Sequence, residues 1–199
     1  MFGKEQDSLS VRDGWELVQK AYLPDEVAFY ESLFCLANGY MGVRPTLDFE
    51  SEHSVPGAFY ADLYDPAIAA RTEIANAPNW LPLGFRLGSG EPVDWDRVEL
   101  LDFERRLDMR RGMLSTEARV RTEGVGTTRI QWTTLVHATR LNCGLVRGSV
   151  TAEDWTGELG LESWIDARFG NAYMGGYQRE IQTRHFNTRS ASCDVQKRL

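Results

Sequence analysis

The chain has 199 residues, of which 42% are hydrophobic and 26% are charged, and its formal net charge is −7. This is the composition of an ordinary globular protein, and the length allows one full-sized domain. No stretch approaches the roughly 18 apolar residues of a membrane span, and the polar amino terminus lacks the apolar core of a signal peptide. The first hundred residues hold 7 Lys and Arg against 17 Asp and Glu, which disfavours nucleic acid as a partner. We therefore expect a cytoplasmic protein with no membrane or nucleic-acid partner.

Proline divides the first half of the chain into short elements and excludes long helices there. Seven prolines recur along it, at positions 24, 45, 56, 66, 78, 82 and 92. The spacing of Val27, Tyr30 and Phe34 fits one face of a short helix that ends before Asn38.

Residues 31–44 read ESLFCLANGYMGVR, a nearly uncharged stretch between a carboxylate and an arginine. The Asn38-Gly39 pair is a strong hairpin signal and predicts a type I′ turn. Such a hairpin would bring Glu31 and Arg44 together at its base as an ion pair, on facing strands or close to each other. Gly42 additionally permits a close approach of another backbone segment.

The same stretch could instead be a catalytic loop, which would need a second carboxylate or a base close by. The local sequence offers only the polar segment that contains Glu50, Glu52 and His53. We interpret these three residues as surface residues and the 31–44 stretch as a structural element.

From residue 98 onwards the hydrophobic period is two, which predicts strands. Apolar residues alternate with charged ones from Leu101 to Met109, with Arg105 as the exception on the apolar side. Further alternating runs cover 117–122, 128–136, 146–150, 159–165 and 181–185, separated by glycine-containing turn signals at 111–112, 123–124, 142–144, 156–157 and 175–176. Many short strands at this spacing predict an antiparallel sandwich or barrel. The alternating charges of residues 104–129 predict a solvated strand face with cross-strand ion pairs.

The remaining reactive residue types do not form a recognisable catalytic or metal motif. The histidines, His53, His137 and His185, are far apart in sequence, and two of them are predicted to lie in strands. Cys35, Cys143 and Cys193 lack a C-x-x-C spacing, and we expect buried free thiols. We therefore expect no catalytic, cofactor-binding or metal-binding residue in this chain.

Four motifs together carry a resemblance to a known family. ESLFCLANGYMGVR is followed by PGAFYADLYD at 56–65, NAPNW at 76–80 and RRLDMRRGML at 105–114. In order and spacing they resemble the amino-terminal domain of glycoside hydrolase family 65, which contains maltose, trehalose and kojibiose phosphorylases. Pro45 stands where the family usually has glycine, and Ser115-Thr116 stands where an arginine is common.

The resemblance implies an all-β fold, a large two-sheet antiparallel β-sandwich of the supersandwich type that galactose mutarotase-like domains share. Residues 1–199 would form a single such domain, an incomplete amino-terminal fragment without the catalytic (α/α)6 barrel, because a strand pattern at 191–196 is still in progress where the sequence ends. The parent enzyme would phosphorolyse or hydrolyse α-linked glucosyl disaccharides without a cofactor, and this chain alone would be inactive.

The family motifs also single out candidate residues that would belong to the fold or face the barrel: Glu31, Phe34, Asn38, Gly39, Tyr40, Gly42, Arg44, Tyr60, Tyr64 and Asn76. The expected partners are the catalytic barrel of the same parent enzyme, its sugar substrate and a second copy of the chain in a homodimer. The alternative is a free-standing carbohydrate-binding or interaction module, since flat aromatic rings can stack on sugar faces.

Overall fold

The structure, a computed structural model, describes five stretches of the chain, which are residues 8–46, 53–65, 73–87, 93–94 and 98–168. They contain a 3-10 turn at Pro24–Glu26, one helix, α1 (Val27–Leu33), and thirteen strands. The strands are β1 (Leu9–Arg12), β2 (Glu16–Gln19), β3 (Leu36–Ala37), β4 (Met41–Arg44), β5 (Gly57–Tyr60), β6 (Tyr64–Asp65), β7 (Glu73–Ile74), β8 (Leu83–Leu87), β9 (Glu99–Asp108), β10 (Met113–Thr122), β11 (Gly126–Val136), β12 (Gly144–Ala152) and β13 (Leu159–Ser163).

A six-stranded antiparallel sheet is the main element, in the order β1-β2-β9-β10-β11-β12. Its long strands coincide with the alternating runs of the sequence, and the tight turns between β9, β10 and β11 contain Gly112 and Gly124 at φ of 61° and 74°. The predicted all-β, antiparallel fold is therefore confirmed. The predicted strand at 181–185 and the predicted turn at 175–176 lie outside the described residues.

A second layer covers one face of this sheet. It consists of α1, the small antiparallel sheets β3-β4-β5 and β13-β8, and the segment that follows β7. Near one end, Phe34 and Val43 of the second layer pack in one cluster with Leu107 and Leu114 of the sheet. Near the other end, Phe85 packs on Trp132 with ring centroids 5.6 Å apart. Burial of these apolar side chains between two layers is the main driving force for a sandwich of this kind.

The opposite face of the six-stranded sheet carries rows of paired charges. Arg106 lies 2.5 Å from Glu104, Arg119 lies 2.7 Å from Glu153, and Arg129 lies 3.4 Å from Glu117. The predicted solvated face with ion pairs is confirmed. Because these pairs are largely solvent-accessible, each contributes little to stability, and their main effect is to keep this face polar.

Two sequence-based predictions about cysteine and histidine are wrong in part. Cys35 and Cys143 are free thiols, as expected, but both are exposed, because Cys35 follows the carboxyl end of α1 and Cys143 lies in the loop between β11 and β12. His137 lies one residue beyond β11 and is exposed. Cys193 and His185 fall outside the described residues. Within the described part of the chain, no helix is long and apolar enough to cross a membrane.

Candidate functional site at the 31–44 motif

The Glu31 carboxylate is the centre of the motif and is fully buried. It projects from α1 and accepts hydrogen bonds from the Ser54 hydroxyl and from the Val55 backbone N–H, the latter at 2.9 Å. Arg44 Nε lies 3.5 Å from Glu31 Oε2, so the predicted ion pair is confirmed. The pair joins a helix to strand β4, because Glu31 lies on α1 and not on a strand facing Arg44.

The protein environment has opposing effects on the pKa of the Glu31 carboxyl. Burial raises the pKa of the Glu31 carboxyl above its ordinary value of 4.5, whereas the Ser54 hydroxyl, the Val55 N–H and the Arg44 guanidinium lower it and offset part of the rise. Loss of solvent penalises the charged form, and hydrogen bonds to a carboxylate favour that form. The burial effect prevails, so the folded chain holds the proton of Glu31 more tightly than the unfolded chain does.

A second arginine reaches the motif from the large sheet. Arg105 of β9 is 2% exposed, and it donates a hydrogen bond of 2.7 Å to the Pro45 carbonyl, just after β4. Its guanidinium lies over the Phe34 ring, 5.3 Å from the centroid, in a cation–π contact. Arg105 therefore ties the six-stranded sheet to both ends of the motif.

Arg44 completes this arrangement on the helix side. One of its guanidinium nitrogens donates to the carbonyl of Ala28 in α1. Glu31, Arg44 and Arg105 thus hold α1, β4 and β9 together, and we refer to these three residues as the ionic cluster. Sequence reasoning missed Arg105, although an arginine on the apolar side of an alternating strand was the available signal.

The hairpin between β3 and β4 differs from the predicted type I′ turn. Asn38 and Met41 close the turn through an N–H···O=C bond of 3.1 Å, so its two central residues are Gly39 and Tyr40. Only Gly39 has positive φ, at 88°, which is the pattern of a type II′ turn with glycine in the first central position. The prediction is wrong by one residue because Asn38 uses its side chain instead of a positive φ.

The Asn38 side chain connects this hairpin to the large sheet. Its Oδ1 accepts from the backbone N–H groups of Tyr40 and Met41, at 3.1 and 2.9 Å. Its Nδ2 donates to the carbonyls of His137 and Leu141, at 2.9 and 3.0 Å, in the loop between β11 and β12. All of the donor and acceptor groups of this amide are therefore used in fixing two loops at one end of the sandwich.

Asn76 has a comparable role further along the second layer. Its Oδ1 accepts from the Ala58 N–H at 2.9 Å, and its Nδ2 donates to the Pro56 carbonyl at 3.1 Å. The side chain is 4% exposed. It supplies hydrogen bonds to the beginning of β5 on the edge of that strand that does not pair with β4.

The candidate residues include both buried and exposed side chains. Glu31, Phe34 and Asn76 lie inside the domain, with exposures of 4% or less, and they act within its core. Tyr40 is 39% exposed and Tyr64 is 54% exposed, whereas Tyr60 is half-buried against Tyr40 in an edge-on contact at 6.0 Å. Of the ten candidate residues, Tyr40, Tyr64 and Gly39 are exposed to solvent.

The Glu31 carboxylate is not accessible to a ligand. Glu31 cannot reach a substrate because it has no solvent-accessible surface, and its carboxylate oxygens accept hydrogen bonds from Ser54 and Val55. The structurally described residues contain no group of three or more His, Cys, Asp or Glu side chains that could hold a metal ion. The contacts around Glu31 stabilise the fold, and they leave Tyr40 and Tyr64 exposed to solvent.

Comparison with known proteins agrees with this geometry. The sequence profile described as "Glycosyl hydrolase family 65, N-terminal domain" matches residues 17–198. The chain belongs to this family. A solved structure titled "Putative kojibiose phosphorylase from human microbiome" superimposes with a TM-score of 0.69 over 80% of the chain at 20% identity, which supports the fold.

Curated relatives in this family are much longer than the chain. It is 34% identical over 172 residues to a kojibiose phosphorylase of Thermoanaerobacter brockii, a match that covers 86% of the chain and 22% of the relative. It is 25% identical over 160 residues to a 1,2-alpha-glucosylglycerol phosphorylase of Bacillus selenitireducens, which covers 80% and 21%. The chain therefore spans about a fifth of the length of these relatives.

The Gly39 turn provides a test of the hairpin geometry. We expect Gly39→Ala to lower the free energy of unfolding by about 1–3 kcal/mol, because alanine is strained at positive φ. An added Cβ at Gly39 would have no atom within 4 Å, so any loss is due to the backbone. The matched control is Gly42→Ala, whose Cβ would make an ordinary contact at 3.8 Å with Ala37. Urea denaturation of both variants measures the difference, and equal stability of the two would contradict the type II′ turn.

The pKa of Glu31 predicts how stability depends on pH. Because the folded-state pKa of Glu31 lies above the unfolded-state pKa, the protonated carboxyl stabilises the fold fully below about pH 4.5. This contribution is lost as the pH rises through the folded-state pKa. It amounts to ~1.4 kcal/mol for each unit by which the two pKa values differ. The unfolding free energy of the wild type minus that of Glu31→Gln should therefore fall as the pH rises from about 4.5 through the folded-state pKa. Glu158→Gln, at an exposed carboxyl outside the cluster, is the control. A difference that rises over this range would show that the hydrogen bonds prevail over burial.

Proposed function

We propose that this chain is a non-catalytic amino-terminal domain of a larger enzyme that acts on α-linked glucosides. The observation that carries the proposal is the complete burial of Glu31 in the ionic cluster. The one motif that could have been a catalytic loop uses its carboxylate and its arginine to hold α1 against β4. The chemistry then belongs to another part of the enzyme.

The relatives support a phosphorylase as that larger enzyme. Both names in the comparison denote phosphorylases, one for kojibiose and one for 1,2-alpha-glucosylglycerol. We propose phosphorolysis of an α-linked glucosyl compound as the reaction of the parent enzyme, with hydrolysis as the other member of the same reaction class. This chain matches only about a fifth of each relative, which leaves ample length for a separate catalytic domain.

The partner in this proposal is the catalytic barrel of the same enzyme. Tyr40 and Tyr64 are exposed, and Tyr60 lies edge-on against Tyr40, so three tyrosines of neighbouring motifs are near or at the surface of the second layer. Tyrosine is enriched at protein interfaces because it combines a large apolar ring with a polar tip. We propose that these tyrosines and the Gly39 turn contact the barrel, while Glu31, Phe34 and Asn76 support them from inside.

An activity assay tests the non-catalytic role. Purified chain is incubated with kojibiose, maltose, trehalose or nigerose, with and without inorganic phosphate, and glucose and glucose 1-phosphate are measured. We expect no turnover above the background without protein, because the carboxylate of the 31–44 motif is buried and out of reach of a substrate. The kojibiose phosphorylase of Thermoanaerobacter brockii serves as the positive control. Glucose 1-phosphate that forms with the wild type and is abolished in a folded Glu31→Gln variant would overturn the proposal.

A further inference from the structure

A polar depression crosses the outer face of the six-stranded sheet, opposite the core. It has a volume of about 410 Å³ and runs over β9, β10, β11 and β12. The strand register places its side chains in two neighbouring rows, Arg106–Ser115–Thr133–Arg147 and Glu104–Glu117–Gln131–Ser149. We call this feature the outer trough.

The shape of the outer trough follows from the sizes of the side chains in the first row. Ser115 and Thr133 are short and occupy the two central strands, whereas a long arginine stands at each end. Three strand spacings separate Arg106 from Arg147, which corresponds to roughly 14 Å. The floor is therefore long enough for two or three linked sugar rings and shallow enough to admit them from solvent.

Several hydrogen-bonding side chains of the trough have no partner among the described residues. Ser115, Thr133 and Ser149 make no side-chain hydrogen bond to any described residue, and Arg147 makes neither a hydrogen bond nor an ion pair there. Elsewhere on this face the arginines are paired. Arg119 and Arg129 both contact Glu153, and Arg121 contacts Glu99. Among the described arginines of β9 to β12 on this face, Arg147 is thus the unpaired one.

The charges of the trough indicate a neutral ligand. Among the lining residues, two glutamates, Glu104 and Glu117, balance the two arginines, and the flanking Arg129 is shared between Glu117 and Glu153, so that net charge favours neither a phosphate nor a cation. Glu104 is also bound to Arg106, and Gln131 Nε2 donates to Glu117 at 3.0 Å, which leaves the amide oxygen of Gln131 as an acceptor. In the next row along the strands, Met113, Leu135 and Leu145 are apolar, and Asp108 of β9 stands at its end.

We propose that the outer trough binds a short neutral oligosaccharide. Sugar hydroxyls both donate and accept, and they need a mixed set of partners such as arginine, serine, threonine, glutamate and glutamine side chains. Arg147 would donate to sugar oxygens, the hydroxyls of Ser115 and Thr133 would exchange hydrogen bonds with the sugar, and Leu145, which is 51% exposed, would contact the C–H face of a ring. This site lies on the face opposite α1 and the ionic cluster, and it stands independently of the proposed function.

Titration of the isotopically labelled 199-residue chain with kojibiose and with maltotriose tests this proposal by NMR. We expect saturable shifts of backbone amides in β10, β11 and β12, with a Kd on the order of millimolar, as is typical of a shallow site with few contacts. Arg147→Ala should weaken binding at least about fivefold, because it removes the one guanidinium of the trough that no described residue engages. Thr133→Val, which keeps the size of the side chain, should weaken it by a smaller factor.

The matched control is Arg140→Ala, which removes the same charge from the exposed loop between β11 and β12, outside the trough. Its affinity should equal that of the wild type. Absence of saturation, shifts confined to Tyr40, Tyr60 and Tyr64, or an unchanged affinity in a folded Arg147→Ala variant would overturn the proposal. Tighter binding of inorganic phosphate than of either sugar at Arg147 would assign an anion site instead and would also overturn it.

Discussion

The contact between the buried Glu31 carboxylate and Arg44 is the constraint on which the second layer of this domain depends. A carboxylate without solvent access must be compensated by donors from the surrounding chain, and here Ser54, Val55 and Arg44 provide them. Those partners come from β4 and from the segment before β5, so compensation of one charge determines how three separate pieces of chain meet. Removal of one partner would leave an uncompensated buried charge, which is far more costly than loss of a surface ion pair.

The same constraint gives the motif a structural role that extends to the large sheet. Arg105 extends the ionic cluster to the large sheet, where it bonds the Pro45 carbonyl and covers the Phe34 ring. The helix, the hairpin and the sheet are then held by directional contacts in addition to the apolar core. This rigidity holds Tyr40 and the Gly39 turn at a fixed position on the surface of the second layer.

Much of this fold could be predicted from the sequence, because β9 to β13 alternate with a period of two and are separated by glycine turns. The Glu31–Arg44 pair was also predictable, since a hairpin between them had few other charges to pair. The turn type was not, because the Asn38 side chain bonds backbone and loop atoms 99 and 103 residues away. The role of Arg105 depends in the same way on contacts distant in sequence, and the outer trough depends on the register of four strands.

A double-mutant cycle between Glu31 and Arg44 tests most directly the claim that this motif is a structural ion pair. The free energy of unfolding in urea is measured for the wild type, Glu31→Gln, Arg44→Met and the double variant at pH 7. The account predicts a coupling energy of about 0.5–3 kcal/mol, with the double variant more stable than the sum of the single losses implies. Additive losses, with a coupling energy indistinguishable from zero, would contradict it.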